Sequence, residues 1–236
     1  MPAPTTRANP KLPLEMTNAE SAYNWRRLIR RIVLTALALG IWFWTQSLIA
    51  LRVAPEAGVG DALHTMTAGL NSYFYHSPAA ANALLILSSA LIDGLGLFLL
   101  LRWLFGPSVR PFLGLVLLLG LRQIMQAICA LPPPPNMIWH YPGFPSLLVT
   151  YNVGNDFFFS GHTAIAVFGG IELARLGKHW LATMALAIVL FEIAAVLVLR
   201  AHYTMDVFTG ILAALCAARF CTVVSPRIDV WLAPAA

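Results

Sequence analysis

Six long apolar runs, separated by short polar segments, divide this chain. Each run is near the ~20 residues that a helix needs to cross a bilayer. They cover residues 32–51, 79–101, 111–131, 160–176, 180–199 and 203–224. The fourth run is short, and only Arg200, Ala201 and His202 separate the fifth from the sixth, which requires a tight turn. The pattern predicts an all-α integral membrane protein built as a six-transmembrane helix bundle.

Composition supports a membrane protein and argues against both a nucleic-acid-binding protein and a protein built around disulfides or zinc. The 236 residues are 59% hydrophobic and 11% charged, whereas a soluble domain has about 25% charged residues. The net charge is +5, but the basic residues lie scattered between the apolar runs, so we expect no nucleic-acid partner. The three cysteines form no CxxC pair, so neither a disulfide framework nor a zinc site is indicated.

The distribution of basic residues predicts the orientation, because cytoplasmic loops are enriched in Lys and Arg. With a cytoplasmic N-terminus, twelve of the fifteen basic residues fall on the cytoplasmic side: Arg7, Lys11, Arg26, Arg27, Arg30, Arg31, Arg102, Arg110, Arg175, Lys178, Arg219 and Arg227. We therefore expect both termini to be cytoplasmic. The predicted division is a flexible tail at 1–28, a membrane catalytic domain at 29–225 and a short tail at 226–236.

His202 and Asp206 are the first candidates for chemistry. They are four residues apart at the start of the sixth run, so on a helix they share one face. A carboxylate in that position can orient an imidazole and stabilise its charged form. The alternative is a structural His–Asp pair. Ionisable residues at membrane depth are functional by default, which favours a catalytic role.

Ser160, Gly161 and His162 open the fourth run. Serine is a good helix N-cap, glycine lets a ligand approach the backbone, and N–H groups at a helix start bind anions. Arg200 could hold phosphate oxygens, or could extend to the interface as a snorkelling side chain. Arg122 lies ~13–14 Å down the third helix. It needs either a substrate pocket or an acidic partner, for which Asp93 and Glu192 are candidates.

Together these segments resemble the sphingomyelin synthase and inositol phosphorylceramide synthase family, within the type 2 phosphatidic acid phosphatase superfamily. Three motifs carry the resemblance: Asp156 followed by Ser-Gly-His-Thr at 160–163, His-Tyr-Thr-Met-Asp-Val at 202–207, and Arg122 followed nine residues later by Leu-Pro at 131–132. Arg200, two residues before His202, is similar to the inositol phosphorylceramide branch. The superfamily's Lys-to-Arg-Pro motif is absent, which argues against a simple phosphatase.

The resemblance implies a lipid phosphotransferase that moves a phospho-headgroup from a membrane phospholipid to a lipid alcohol, of the ceramide or diacylglycerol type. His202, oriented by Asp206, would form a phosphohistidine, and His162 would act as acid and base. Ser160, Gly161, Arg122 and Arg200 would bind the phosphate. Asp156 and Tyr203 would support the site, and no metal or cofactor is expected.

Two alternatives stay open. Water could replace the lipid alcohol, which would make the protein a lipid phosphatase or a phospholipase C-like hydrolase with the same His162, His202 and Asp206. A catalytically inactive membrane transporter or scaffold is the second alternative, and it would tolerate loss of either histidine. The compact chain with short loops is typical of bacterial proteins, so we expect a bacterial inner membrane with the active site on the periplasmic side.

Overall fold

The computed structural model describes residues 14–51, 59–151 and 157–233. Within these ranges the chain forms eight helices and no strand, so the predicted all-α class is confirmed for the described part. The helices are α1 (Leu14–Ala50), α2 (Ala62–Met66), α3 (Ala68–Tyr75), α4 (Pro78–Phe105), α5 (Arg110–Ile128), α6 (Gly161–Ala174), α7 (His179–Val198) and α8 (Thr204–Leu232).

Five of these helices are long and apolar enough to cross a membrane, judged by length and composition. They are α4, α5, α7 and α8 along their whole length, and α1 between Trp25 and Leu48. Large apolar side chains stand exposed on their outer faces, among them Ile41, Leu97, Leu186 and Phe208. An apolar exterior of this kind fits a multi-pass integral membrane protein, because acyl chains rather than water would cover it.

The count of six spans is not confirmed. The fourth predicted span corresponds to α6, which has 14 residues and is therefore ~21 Å long, against a hydrocarbon core of ~30 Å. The side of the membrane on which the termini lie stays a prediction.

Helix α6 is short because it is the central helix of the bundle. It packs against α4, α5, α7 and α8, and eleven of its fourteen residues are buried. Gly114 on α5 makes one of these contacts possible, since a Cβ there would lie 1.9 Å from the ring of Phe168. The first turn of α6 is buried inside the bundle, whereas the residues that follow its other end, 175–178, are exposed. A buried helix start of this kind can serve as a binding site.

The tight turn predicted between the fifth and sixth runs is a Schellman motif. The N–H of Ala201 donates to the carbonyl of Val196 at 2.9 Å, and that of Arg200 donates to Leu197 at 3.2 Å. This motif requires a left-handed residue after the helix, and Arg200 takes that conformation with φ 54°. The turn brings His202 directly from the end of α7 to the start of α8.

The structure differs from the sequence prediction in three segments. Helix α1 begins at Leu14, inside the segment 1–28 that we predicted as a tail, and α8 continues to Leu232, beyond the predicted end at 224. The loop between the first two spans contains the short helices α2 and α3. Asp61 caps α2, accepting hydrogen bonds from the N–H groups of Leu63 and His64. This loop therefore has a defined structure, which matters for the site below.

Candidate active site

The two histidines singled out in the sequence lie side by side in the structure. His162 is in the first turn of α6 and His202 directly precedes α8, and their ring centroids are 6.5 Å apart. Both are buried. The starts of α6 and α8 are joined by a hydrogen bond from the Ser160 N–H to the Asp206 carbonyl, at 3.1 Å. The bundle therefore brings together two motifs that are 40 residues apart in the chain.

Gly210 makes this junction possible. A Cβ at Gly210 would lie 2.8 Å from the carbonyl oxygen of Ser160 and 3.3 Å from Cβ of Thr163. Only glycine lets α8 approach the first turn of α6 so closely. The distance between His162 and His202 thus depends on a residue that touches neither ring.

The tautomer of His202 follows from its hydrogen bond. Nδ1 of His202 lies 2.8 Å from the carbonyl oxygen of Phe157. A carbonyl can only accept, so Nδ1 must carry the proton. In the neutral ring Nε2 is then unprotonated, with its lone pair available for attack. This is the state that a histidine nucleophile needs.

Asp206 stabilises this arrangement differently from the predicted direct hydrogen bond. Its Oδ2 is 3.8 Å from Nδ1 of His202, beyond hydrogen-bond distance. The same oxygen accepts the N–H of Tyr203 at 2.9 Å. Asp206 therefore holds the start of α8 and supplies a negative charge close to the ring, while the Phe157 carbonyl fixes its orientation.

A small pocket opens at the two rings. Besides His162 and His202, it is lined by Trp42, Ile92, Leu119, Arg122, Trp139, Leu148, Val149, Thr150, Phe157, Gly161, Ile165 and Ala201. Most of these side chains are apolar, and the arginine is the cation among them. A pocket of this kind suits a negatively charged group attached to a lipid.

Arg122 reaches the pocket from α5. Its Nε donates to the carbonyl of Phe159 at 3.2 Å. Gly161 leaves the room for it, since a Cβ at Gly161 would lie 2.9 Å from Nε of Arg122. The two carboxylates considered as partners bind elsewhere: Asp93 accepts hydrogen bonds from residues 146–148, and Glu192 accepts one from Ser88. Arg122 lines the pocket, and its predicted role in binding the substrate stays a prediction.

Ser160 is the N-cap of α6, as the sequence predicted. Its Oγ accepts hydrogen bonds from the N–H and the hydroxyl of Thr163, at 3.3 and 3.0 Å. The N–H groups of Gly161 and His162 precede Thr163 in the first turn, where no carbonyl of their own helix can accept them. They are therefore the backbone donors closest to the pocket, and the helix start adds a partial positive charge.

Three other predicted site residues remain to be placed. Arg200 does not line the pocket; its guanidinium donates to the carbonyls of Pro135 and His64, at 2.7 and 3.3 Å. Tyr203 is buried next to His202, and its hydroxyl accepts the N–H of Val59 at 3.3 Å. Asp156 lies outside the described residues.

Two residues outside the predicted site, His64 and Asp61, support His202 from the first loop. Nε2 of His64 donates to the carbonyl of His202 at 2.9 Å. Asp61 accepts the N–H and the hydroxyl of Thr204, at 2.5 and 2.7 Å. The pKa of Asp61 lies below its ordinary value, because these hydrogen bonds outweigh the effect of burial, which raises it. An acidic residue near a histidine in this loop was the signal that could have revealed them.

Trp139 is a third residue that the sequence did not single out for the site. Its ring meets His162 edge-on, with centroids 5.1 Å apart, and its Nε1 donates to the carbonyl of Thr150 at 2.9 Å. The non-helical segment around it thereby forms a wall of the pocket. Irregular backbone at such a depth is tolerated where it is enclosed by protein.

Nε2 of His162 is buried and has no hydrogen-bond partner among the described residues. A buried polar atom of this kind is costly unless a ligand or water satisfies it. Within the same ranges, no group of three or more His, Cys, Asp or Glu side chains is close enough to hold a metal ion.

Comparisons with known proteins identify the family of this chain. The family model described as AtPDCT1/2 matches residues 60–223, well over half of the chain and all of the pocket-forming motifs. A curated relative, phosphatidylcholine:diacylglycerol cholinephosphotransferase 1 of Arabidopsis thaliana, is 24% identical over 175 residues, which cover 74% of this chain and 57% of that protein. The chain thus spans a little over half of the length of this relative.

No solved structure matches the chain. Membership in the sphingomyelin synthase branch stays a prediction, because the matched relative is named for a transfer that involves diacylglycerol. The bacterial source also stays a prediction. The family model covers most of the chain, from the first loop to α8. The chain belongs to the AtPDCT1/2 family.

Proposed function

We propose that the protein is a lipid phosphotransferase that moves the phospho-headgroup of a glycerophospholipid to a lipid alcohol. The observation that carries the proposal is the meeting of two buried histidines, 6.5 Å apart, at a pocket that also holds Arg122. One ring presents an unprotonated nitrogen for attack, and the second has a buried nitrogen ready to exchange a proton. This arrangement supports a two-step transfer.

In the first step Nε2 of His202 attacks the phosphorus of the donor lipid. A P–N bond forms and the P–O bond to diacylglycerol breaks. His162, in its protonated form, gives its proton to the departing alkoxide, so diacylglycerol leaves as a neutral alcohol. His202 then carries the phospho-headgroup, and its positive charge faces the buried carboxylate of Asp206, 3.8 Å away.

In the second step a lipid alcohol takes the place of the leaving diacylglycerol. Neutral His162 removes the proton of the acceptor hydroxyl, and the oxygen attacks the phosphorus. The P–N bond to His202 breaks and the new P–O bond completes the product. His162 ends protonated, ready for the next donor, so neither step needs a further reagent.

The phosphate oxygens gain negative charge in both steps. We assign their stabilisation to the Arg122 guanidinium and to the N–H groups of Gly161 and His162. Prearranged donors of this kind usually supply the largest catalytic contribution. We assign Arg200 a supporting role, because its hydrogen bonds to the carbonyls of Pro135 and His64 fix the backbone of two loops next to the site.

The acceptor we favour is diacylglycerol, because the curated relative is named for transfer of phosphocholine to diacylglycerol. The predicted ceramide acceptor is then one outcome of the test. The donor headgroup we favour on the same ground is phosphocholine. These assignments rest on the name of a relative, and the histidine chemistry does not depend on them.

The test is a product assay on purified protein in vesicles with headgroup-labelled phosphatidylcholine, given diacylglycerol, ceramide or neither. We expect label in new phosphatidylcholine formed on a distinguishable diacylglycerol, and no product from His202→Ala. Label in sphingomyelin would move the acceptor to ceramide. Free phosphocholine in the absence of any acceptor lipid would show a hydrolase, and undiminished turnover by His202→Ala would contradict the mechanism.

A further inference from the structure

A long apolar groove lies on the outer face of the bundle, between α1 and α5. It has a volume of about 570 Å³ and is lined by Leu34, Thr35, Leu37, Ala38, Leu39, Ile41, Trp42, Thr45, Leu100, Phe112, Leu115, Val116, Leu119, Gly120, Gln123 and Ile124. Nearly all of these side chains are apolar, and the groove opens toward the side of the protein that would face lipid.

The groove adjoins the catalytic pocket. Trp42 and Leu119 line both cavities. Along α5, Arg122 belongs to the pocket and the next residue, Gln123, belongs to the groove. A molecule in the groove therefore lies one side chain away from the histidines.

The groove has the length of acyl chains in one leaflet. On α5 it extends from Phe112 to Ile124, twelve residues or ~18 Å at 1.5 Å per residue. Half of the ~30 Å hydrocarbon core is about 15 Å. The polar lining residues Thr45 and Gln123 are at the end nearer the histidines. Near the opposite end the hydroxyl of Thr35 accepts the N–H of Trp103 at 3.1 Å, and the other lining side chains there are apolar.

Two buried polar atoms at the end of the groove nearer the histidines have no hydrogen-bond partner among the described residues. Nε1 of Trp42 is a buried N–H with no acceptor among the described residues, and Trp42 itself is 5% exposed. Oε1 of Gln123 is likewise buried and unpaired within those residues, while its Nε2 donates to Gln46 at 2.9 Å. The unsatisfied donor matches an ester carbonyl of a lipid, and the unsatisfied acceptor matches the free hydroxyl of a diacylglycerol.

We propose that this groove holds the diacylglycerol moiety of both substrates in turn. The acyl chains lie between α1 and α5, an ester carbonyl accepts the Trp42 N–H, and the glycerol carbon that bears the phosphate or hydroxyl passes Trp42 and Leu119 into the pocket. The proposal rests on the proposed function and names its substrate class: donor and acceptor are both diacylglycerol lipids. The departing and arriving diacylglycerol therefore use one site, and transfer is ping-pong.

The test uses full-length protein in phosphatidylcholine vesicles with a diacylglycerol that carries a diazirine on one acyl chain. After illumination, mass spectrometry locates the crosslinks. We expect them on α1 and α5, and competition by unlabelled diacylglycerol should remove them. Crosslinks confined to α7 and α8 would overturn the proposal. The α1 and α5 faces of two copies could instead crosslink to each other, with loss of the diacylglycerol labelling. That result would also overturn the proposal, because the groove would then be a subunit interface.

A pair of glycine variants tests the same point by kinetics. Gly120 lines the groove and Gly40 lies exposed on α1 outside it, and a Cβ at either position meets nothing within 4 Å. Gly120→Trp should fill the groove and raise the KM for long-chain diacylglycerol roughly tenfold, the equivalent of about two lost buried methylene groups. A short-chain diacylglycerol should be affected much less. Gly40→Trp should match the wild type, and an equal effect in both variants would contradict the groove assignment.

The two proposals can fail separately. His202→Ala should lose turnover and keep full photolabelling on α1 and α5. Turnover in this variant with unchanged labelling would reject the histidine mechanism alone. Normal loss of turnover with labelling elsewhere would reject the groove alone.

Discussion

At the residue scale, the site depends on two glycines that make room for other groups. A side chain at Gly161 would collide with Arg122, and one at Gly210 would collide with the Ser160 carbonyl. Arg122 and the two histidines can therefore take their positions only because these two residues have no side chain. Moving a catalytic group by ~1 Å from its productive position can lower the rate of an enzyme by ~10²-fold.

Gly161→Ala should lower kcat/KM by about 10²-fold, because the new Cβ would stand 2.9 Å from Nε of Arg122. The loss should appear in headgroup transfer measured in vesicles, with little change in thermal stability. Gly94→Ala is the matched control, since a Cβ on Gly94 meets nothing within 4 Å. Full activity in Gly161→Ala would show that Arg122 does not need its present position.

Residue patterns selected candidate residues that lie close together in the structure, but not the groups that hold them in place. His162, His202 and Asp206 stood out because ionisable groups at helix starts in a membrane protein are unusual. The Phe157 carbonyl that fixes the His202 tautomer could not be predicted, since every residue has a carbonyl. The hydrogen bond from His64 to His202 joins positions 138 residues apart, and no local periodicity reports a contact of that kind.

At the element scale, α2 is attached to the start of α8 through one carboxylate. Asp61 caps α2 and also accepts two hydrogen bonds from Thr204. Together with the His64 bond to the His202 carbonyl, this makes the first loop part of the site. The sequence predicted a long loop on this face but had no means of placing it against α8.

The link between Asp61 and Thr204 should depend on pH in a defined direction. The folded pKa of Asp61 lies below its ordinary value of 3.8, so its stabilising contribution is present above that value and is lost as the pH falls through the lowered pKa. The stability difference between wild type and Asp61→Asn should be constant from pH 7 to about 5 and should shrink only below the ordinary pKa. Thermal unfolding across a pH series measures it, and Thr204→Val should remove most of the difference.

The opposite end of the bundle contains a buried ion pair between α5 and α6. Nε of Arg110 is 2.6 Å from Glu172, and both side chains are buried. Arg110 also donates to Thr222 on α8 at 2.7 Å. Arg110 thus connects α5 to both α6 and α8, a link that the sequence pattern did not reveal.

Breaking this pair on one side should destabilise the protein by about 3–5 kcal/mol, because the remaining buried charge has lost its partner. We expect this for Arg110→Met and for Glu172→Leu, measured by unfolding in detergent. The double variant should recover much of the loss, as an apolar replacement of both partners removes the charge. Additive losses in the double variant would show that the two residues act independently.

At the scale of the whole molecule, the apolar runs predicted most of the architecture. Five helices correspond to predicted spans and qualify by length and composition. The exception is α6, where the run at 160–176 was apolar because the helix is buried in protein on every side. Composition alone cannot distinguish an interior helix from one that faces lipid, so the count of six was not confirmed.

The orientation predicted from basic residues can be checked by cysteine labelling in a background without the three native cysteines. Met66, on the active-site face, is 80% exposed, and Met66→Cys should react with an impermeant maleimide from outside intact cells. Arg102→Cys, at the opposite end of α4, should react only after permeabilisation. The reverse pattern would place the active site and the groove in the cytoplasmic leaflet.

The measurement that tests the central claim most directly is detection of the covalent intermediate. The enzyme is mixed with phosphatidylcholine in the absence of acceptor, quenched under alkaline conditions and digested for mass spectrometry. We predict a phosphocholine adduct on the peptide that contains His202, absent in His202→Ala and discharged by added diacylglycerol. Continued headgroup transfer with no adduct on His202, or an adduct that remains in His202→Ala, would contradict the mechanism.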